Sequence, residues 1–552
     1  MARGAGLDVV VSKQQADPPG SRLPVIEDWL RSKVFLSTAR PAMPDPAPRW
    51  VTLGKVVLAV LAVIAGAAIS LARTTGPGAL NSIWIEDARD LLSQAYLYPF
   101  GHLLTVPLAG GYWEDTGRVA TQIAKQFPTT WAPGVMSAIA ALFYAVSGLI
   151  AYVASGPHLR NPILQLLIAA PCVMIPLGYT QANNDLATMQ FVMLYGTFWV
   201  LLWIPSTLGG KIAASLFMLS IAANTMGDYL YAPLVVARLI ADRSKATLSL
   251  AGIWLAGVCI QGYSTFFSPN SRQPGQHNSP FWIAWQYASE AVPRALFGEK
   301  ALGGPGAEFN YGLKLPDYQI TPAVHLGLAL AAWAVVLVAL ILARVRLTNP
   351  NWPLVVVALL SSLLALEGSL IFNLHLFQPR YVICPALLLY AALVAALRPR
   401  GVAEPGPAGA AGPDRSPASR WAARALAWLP VACLTAVVAV AITANFQVDN
   451  GRSNTRPWTA IVATAKTECA LHGVNLPRKE WRADPWQGGA YVYEYLWYTS
   501  VIPCNRVLAQ RSRRRARSFS RAGDTCFRSQ RRPEDDGVDA LADREHDCDA
   551  GP

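Results

Sequence analysis

Two neighbouring stretches decide the reading of this chain: the apolar run Val56–Leu71 (VVLAVLAVIAGAAISL) and, beyond a polar connection, Ile85-Glu86-Asp87-Ala88-Arg89-Asp90. The first carries no charge and, with its flanks, approaches the roughly 20 residues that cross a bilayer. The second sets carboxylates just past the end of that span. Charge at the mouth of a helical bundle is costly near lipid and needs a reason.

Outward from this pair the apolar pattern repeats. Further spans are expected at about 134–154, 163–179, 186–204, a run from 212 that is interrupted at Asn224–Asp228, 229–240, 246–266, 323–342, 353–372, 381–397 and 425–444. The chain of 552 residues is 53% hydrophobic and 14% charged, where a soluble domain carries about 25% charged residues. Its mean hydropathy is +0.30. The expectation is an all-α polytopic membrane protein with about eleven transmembrane helices. The short alternating segments of a β-barrel are not seen. The first apolar run is too late and too long for a cleaved signal peptide.

The expected organisation has a polar N-terminal arm (1–54) with a surface helix near Ile26–Phe35, and a membrane core (55–398) with long loops at 73–133 and 267–322. A Pro/Gly/Ala/Arg linker (399–424), a last membrane helix (425–446), a small aromatic-rich domain (447–510) and a charged tail without a core (511–552) follow. Within the first long loop, Asp87–Tyr98 is amphipathic and suits the membrane interface. Basic residues at Arg160, Arg243, Lys245, Arg344, Arg346 and Arg398 fall on one side, which the positive-inside rule makes the cytoplasm. The net charge of +12 is therefore a topology signal rather than a nucleic-acid signal. The N-terminus is expected inside, and both long loops and residues 447–510 outside.

Cys172, Cys259, Cys384 and Cys433 lie in apolar runs and read as small buried hydrophobes. Cys469 and Cys504 lie in the C-terminal segment expected outside, where they are expected to pair. No Cys or His spacing matches a zinc site.

Chemistry has several candidate carriers. Asp87, with Glu86 beside it, sits where a lipid headgroup can reach and can take a proton from an acceptor hydroxyl. The plainer reading is a solvated loop with capping carboxylates, and Arg89 has helical spacing or adjacency to pair with Glu86 or Asp90. Arg380, beside Tyr381 at the mouth of a span, suits a phosphate because a guanidinium fork matches its oxygens. The alternative is an interface anchor. His102 and His375 are further loop candidates. Asn184 lies in the Asn183-Asn184-Asp185 turn, where turn closure competes with substrate contact. Asp228 breaks an apolar run, and Glu367 lies within one; both are functional candidates by default.

The segment Trp84-Ile85-Glu86-Asp87 looks like the first-loop acidic motif of the GT-C superfamily of polytopic membrane glycosyltransferases. The stretch from Tyr98 through Gly101-His102 to Pro107 is similar to the loop of uncharacterised bacterial members. So are the 183–185 turn with Gln190, and Arg380-Tyr381 entering a span. The resemblance covers about residues 50–510, although Ala88 and then Arg89 depart from the residues that often follow the pair. It implies a polyprenyl-phosphate sugar donor, an envelope glycan or glycolipid acceptor, Asp87 as base and Arg380 at the donor phosphate. Membrane lipids are implied partners and nucleic acid is not. No cofactor is required; a divalent ion near Glu86 and Asp87 is compatible but not forced. The rival from another class is a transporter or flippase for a lipid-linked or polar solute, served by the broken spans around Asp228 and by Glu367.

Overall fold

The computed structural model describes residues 23–36, 49–105, 112–177, 183–267, 278–303, 320–370, 377–400, 417–447, 452–453, 455–472, 490–495 and 498–508. His375 and the expected tail 511–552 lie outside these residues. The chain divides into two compact units, residues 1–464 with 492–502, and residues 465–491 with 503–552.

The larger unit is helical. Among the described residues seven helices are long and apolar enough to cross a membrane: Leu53–Leu71, Thr129–Ala154, Lys245–Phe267, Pro322–Arg344, Trp352–Leu370, Pro379–Ala396 and Trp421–Ala444. The protein is an integral membrane protein. The four remaining expected spans correspond to shorter helices, Pro162–Met174, Gln190–Leu202, Leu208–Ala222 and Ala232–Ala241. Proline and polar turns cut these runs short. Thr225 accepts from Gly227 N and starts a 3-10 segment, Met226–Tyr231, that breaks the apolar stretch where Asn224–Asp228 predicts an interruption.

Helix position follows from which residues need cover. The Pro379–Ala396 window is 94% buried and forms the centre of the bundle, whereas the Leu53–Leu71 window is 11% buried and turns Val56, Leu58, Leu61 and Ile64 outward. An apolar side chain loses nothing by facing lipid, so membrane helices associate through close packing of small residues. Gly66 packs against Ala145, and a Cβ at Gly257 would overlap Ala222. Cys259 and Cys433 are likewise exposed on outer helix faces, while only Cys172 and Cys384 among the four are buried. The expectation of burial fails for the first two because an apolar run in a membrane does not say which face is covered.

The N-terminal surface helix is present as Leu23–Trp29, continued by a π-helical turn Leu30–Val34. At the other end of the first span, Asp87–Ser93 is π-helical and Gln94–Leu97 α-helical. Leu91, Leu92, Ala95 and Tyr96 are all buried, so this stretch packs into the unit instead of lying along the interface.

A domain boundary at residue 447 is not observed. Arg452 and Trp458 are buried in the larger unit, and Trp458 Nε1 donates to Thr129 O at 2.8 Å. The smaller unit holds the Cys469–Cys504 disulfide (S–S 2.03 Å). The strands Ala490–Tyr495 and Tyr498–Pro503 pair in a two-stranded sheet, and so short a connection makes them a hairpin. The bridge closes a sequence separation of 35. Replacing both cysteines by Ser is expected to destabilise the smaller unit by about 3–4 kcal/mol. Limited proteolysis would read this as earlier cleavage within 465–508; unchanged protection would show that the bridge contributes nothing.

Candidate functional site

The acidic segment folds back onto the polar turn that precedes the Gln190–Leu202 helix. Asn184 adopts φ +57°, a left-handed conformation that Asn tolerates better than most residues. Its side chain is clasped by the end of the first span: Nδ2 donates to Ser70 O at 2.7 Å, and Ser70 Oγ donates to Asn184 Oδ1 at 2.7 Å. Asn183 donates to Thr74 Oγ1 at 3.1 Å. With its amide engaged and no exposed surface, Asn184 closes the turn.

The turn aims two backbone N–H groups at Asp87. Leu186 N lies 3.1 and 3.0 Å from Oδ1 and Oδ2, and Ala187 N lies 3.0 Å from Oδ1. Asp87 is 2% exposed. Burial pushes its carboxyl up to about 6, opposed by the Leu186 amide, the Arg452 cation and the Ala187 amide. Two other carboxyls share the electrostatic environment. Glu114 and Asp185 are both pushed well above the usual carboxylate range, first by burial and then by the neighbouring Asp87 charge. Glu114 Oε1 and Asp185 Oδ2 have no partner among the described residues. Three close carboxyls cannot all ionise in a dry site. The Leu186 and Ala187 amide hydrogens favour the charged form of Asp87, whereas burial favours the neutral forms of Glu114 and Asp185.

Glu86 faces other partners. Trp84 Nε1 donates to its Oε2 at 3.1 Å, and Arg380 Nη1 approaches the same oxygen at 3.2 Å. Arg380 stacks over the Tyr381 ring at 5.7 Å, and Tyr381 meets Phe191 edge-on. Arg380 Nε is buried without a partner among the described residues. Arg89 pairs with Asp90 rather than with Glu86. The structure therefore brings Glu86, Asp87, Arg380 and Tyr381 together. His102 is exposed with its ring beside Tyr98, and Asp228 is fully buried; among the described residues neither Asp228 carboxylate oxygen has a partner, and neither residue shares a partner with the cluster. Glu86 and Asp87 face different partners. Among the described residues no three His, Cys, Asp or Glu side chains converge as a metal-ligand set.

Two members of this buried cluster, Glu114 and Arg452, were not among the candidates read from the sequence. Glu114 precedes the Asp115–Ala124 helix, which is anchored where Asp115 N donates to Ala223 O at 2.8 Å. Arg452 lies about 360 residues along the chain from the acidic segment, a separation no local motif reports. It is 1% exposed and donates to the carbonyls of Ala79, Ser82, Asn183 and Asn184 at 2.8–3.0 Å, and to Ser137 Oγ at 2.8 Å.

The pH behaviour follows. Glu114 keeps its proton in the folded chain beyond the pH at which the unfolded chain loses it, ordinarily near 4.5. Its contribution to stability is thus fully present below that value and lost as pH rises toward the higher folded one. Glu114→Gln is expected to remove this part of the slope, leaving stability at pH 7 unchanged or improved. Thermal unfolding across pH 5–9 tests this; a variant that is less stable than wild type at pH 7 would mean that Glu114 is ionised in the fold.

The long apolar helices and the buried charged face define a helical integral membrane protein with a sheltered carboxylate cluster at one end of its first span. A comparison with protein-family models and with curated proteins finds no match to the sequence.

Proposed function

We propose that the protein is a membrane glycosyltransferase of GT-C type, transferring a sugar from a polyprenyl-phosphate donor to an extracytoplasmic envelope glycan or glycolipid. The observation carrying this reading is Asp87, a buried carboxylate charged near neutral pH and held by two amides beside the Glu86–Arg380 pair. In the reaction the acceptor oxygen bonds to the anomeric carbon, the bond from that carbon to the donor phosphate oxygen breaks, and the acceptor proton passes to Asp87. Asp87 Oδ2 accepts one amide hydrogen, leaving a lone pair for this proton. The enclosed position of Asp87 requires the first loop to open for the acceptor. Arg380 Nε, without a partner among the described residues, offers a donor to the leaving phosphate, and Glu86 and Tyr381 hold the guanidinium in place.

In this reading the four shorter helices complete eleven crossings in the plasma membrane. The basic loops lie in the cytoplasm with the N-terminus, and the carboxylate cluster and C-terminus lie outside.

Purified protein offered a panel of polyprenyl-phosphate sugars and envelope extract should release polyprenyl phosphate. Arg380→Gln is expected to raise the donor KM about 10- to 100-fold, the loss of a charge-assisted contact to phosphate. Absence of release with every donor, together with solute uptake by proteoliposomes that Asp228→Asn abolishes, would replace this reading by transport. The unpartnered buried carboxyl of Asp228 is the observation favouring that second reading.

A further inference from the structure

At the far end of the bundle from the carboxylate cluster, the loop after the Thr129–Ala154 span meets the N-terminal surface helix and the connection into the Trp352–Leu370 helix. They line an open cavity of about 930 Å³ whose polar lining includes Lys33, His158, Arg160, Asn351 and Arg398. No Asp or Glu is among the described residues lining it. The nearest acids on the packed elements face elsewhere or lie outside. Glu27 is bonded to Arg31 at 2.6 Å, Asp242 accepts from Ser244 and Thr247, and Asp28 is exposed on the surface helix.

This concentration of positive charge is built into the fold. Arg398 Nε donates to Asn349 O at 2.8 Å and its Nη1 to His158 O at 3.0 Å, which clamps two loops around the guanidinium. Burial and the adjacent Arg160 cation both push Arg398 below its ordinary value, so like charges are held together at a cost. His158 is 2% exposed, and neither ring nitrogen has a partner among the described residues. Asn351 Nδ2 and Arg398 fix its carbonyl, and its ring meets Trp199 edge-on. His158 therefore contributes its backbone to the wall of the pocket, with its ring packed inward, and the cations are what face the opening.

The remaining wall is apolar and continues outward. Trp352 and Val356 line the cavity, and exposed Leu360 and Leu363 extend the same helix face at spacings of four and three residues. Trp29, exposed on the surface helix, borders the same cavity. Anion-binding groups at the top of an apolar helical track fit a molecule with a phosphate head and acyl chains better than a soluble ion.

We propose that this cavity binds the phosphate headgroup of an anionic membrane lipid, with Lys33, Arg160 and Arg398 neutralising the phosphate and an acyl chain lying along Trp352–Leu363. The site lies apart from the proposed transfer chemistry and does not depend on it.

Native mass spectrometry of the full-length protein, titrated with dioleoyl phosphatidylglycerol or dioleoyl phosphatidylcholine, tests this. The wild type is expected to retain phosphatidylglycerol at least about 30-fold more tightly, as two or more surface cations contribute. The Lys33→Gln/Arg160→Gln variant, altered only at exposed positions, should lose most of that selectivity, and a photoactivatable phosphatidylglycerol should label 23–36 and 349–363. Equal retention of the two lipids by the wild type overturns the proposal, as does unchanged selectivity in the double variant. Displacement by inorganic phosphate alone, with no lipid selectivity, overturns the lipid occupant in favour of a soluble anion.

Discussion

With Asp87 replaced by Asn, sugar transfer is expected to fall by about a thousandfold, within the range that a positioned general base contributes. The amide keeps the size of the carboxylate, and its oxygen can still accept from Leu186 N and Ala187 N, so the turn stays supported. What disappears is a group that can take a proton. Asp87→Ala is a poorer probe, because it strands both buried N–H groups and adds a folding cost of about 1–3 kcal/mol for each. In the wild type, activity should rise as the pH passes about 6, where Asp87 gives up its proton in the folded protein. Asp87→Asn should lose that limb together with the rate. An Asn variant with wild-type turnover and an unchanged pH profile would remove Asp87 from the chemistry. Release of polyprenyl phosphate under single-turnover conditions is the readout, since it separates the chemical step from product release.

The second large effect is on folding. Arg452→Gln is expected to destabilise the larger unit by about 3–5 kcal/mol, the cost of breaking a buried charge-bonded network from one side. The guanidinium holds the loop at Ala79–Ser82 against the turn at Asn183–Asn184, and its charge lies close to Asp185 and Asp87. Its removal leaves four buried carbonyls without that donor and takes away a cation that helps Asp87 ionise. Lys cannot replace it, because a single ammonium with three donors cannot span acceptors on three separate segments. Loss of the folded, monodisperse species on size-exclusion chromatography, and a lower unfolding temperature, would report this. A variant with wild-type unfolding would show that the loop and turn are held by other contacts. The surviving folded fraction should also shift the activity limb of Asp87 upward in pH, a change that a purely structural defect would not produce.

These two residues also show how far the sequence could be read. Asp87 was legible because it breaks local expectation: a carboxylate directly after a membrane span is costly unless something satisfies it. Glu86, Arg380 and Tyr381 were legible on similar grounds, as charge and aromatic groups at span mouths, and the fold places them together. Arg452 had no such signal. An arginine in a polar loop near the C-terminus looks like any surface arginine, and only packing puts it 1% exposed beneath a turn far away in the chain. Glu114 stands beside Asp115 in the sequence, but its preference for the protonated form depends on burial and on Asp87, Glu86 and Asp90 arriving from another segment. Asn184 shows the converse: a polar residue in a suggestive position whose amide is engaged by Ser70.

Hydrophobic run lengths and the carboxylates that interrupt them determined that this chain is a helical membrane protein and where its charged groups concentrate. Those properties follow from transfer free energies that each residue carries with it, whatever its neighbours. Tertiary structure alone decided which runs stay short, which helix is central, which carboxyl of the cluster is held by backbone amides, and that Arg452 and Trp458 belong to the larger unit. Each of these depends on hydrogen bonds and electrostatic fields between groups distant in sequence, which exist only once the helices have packed.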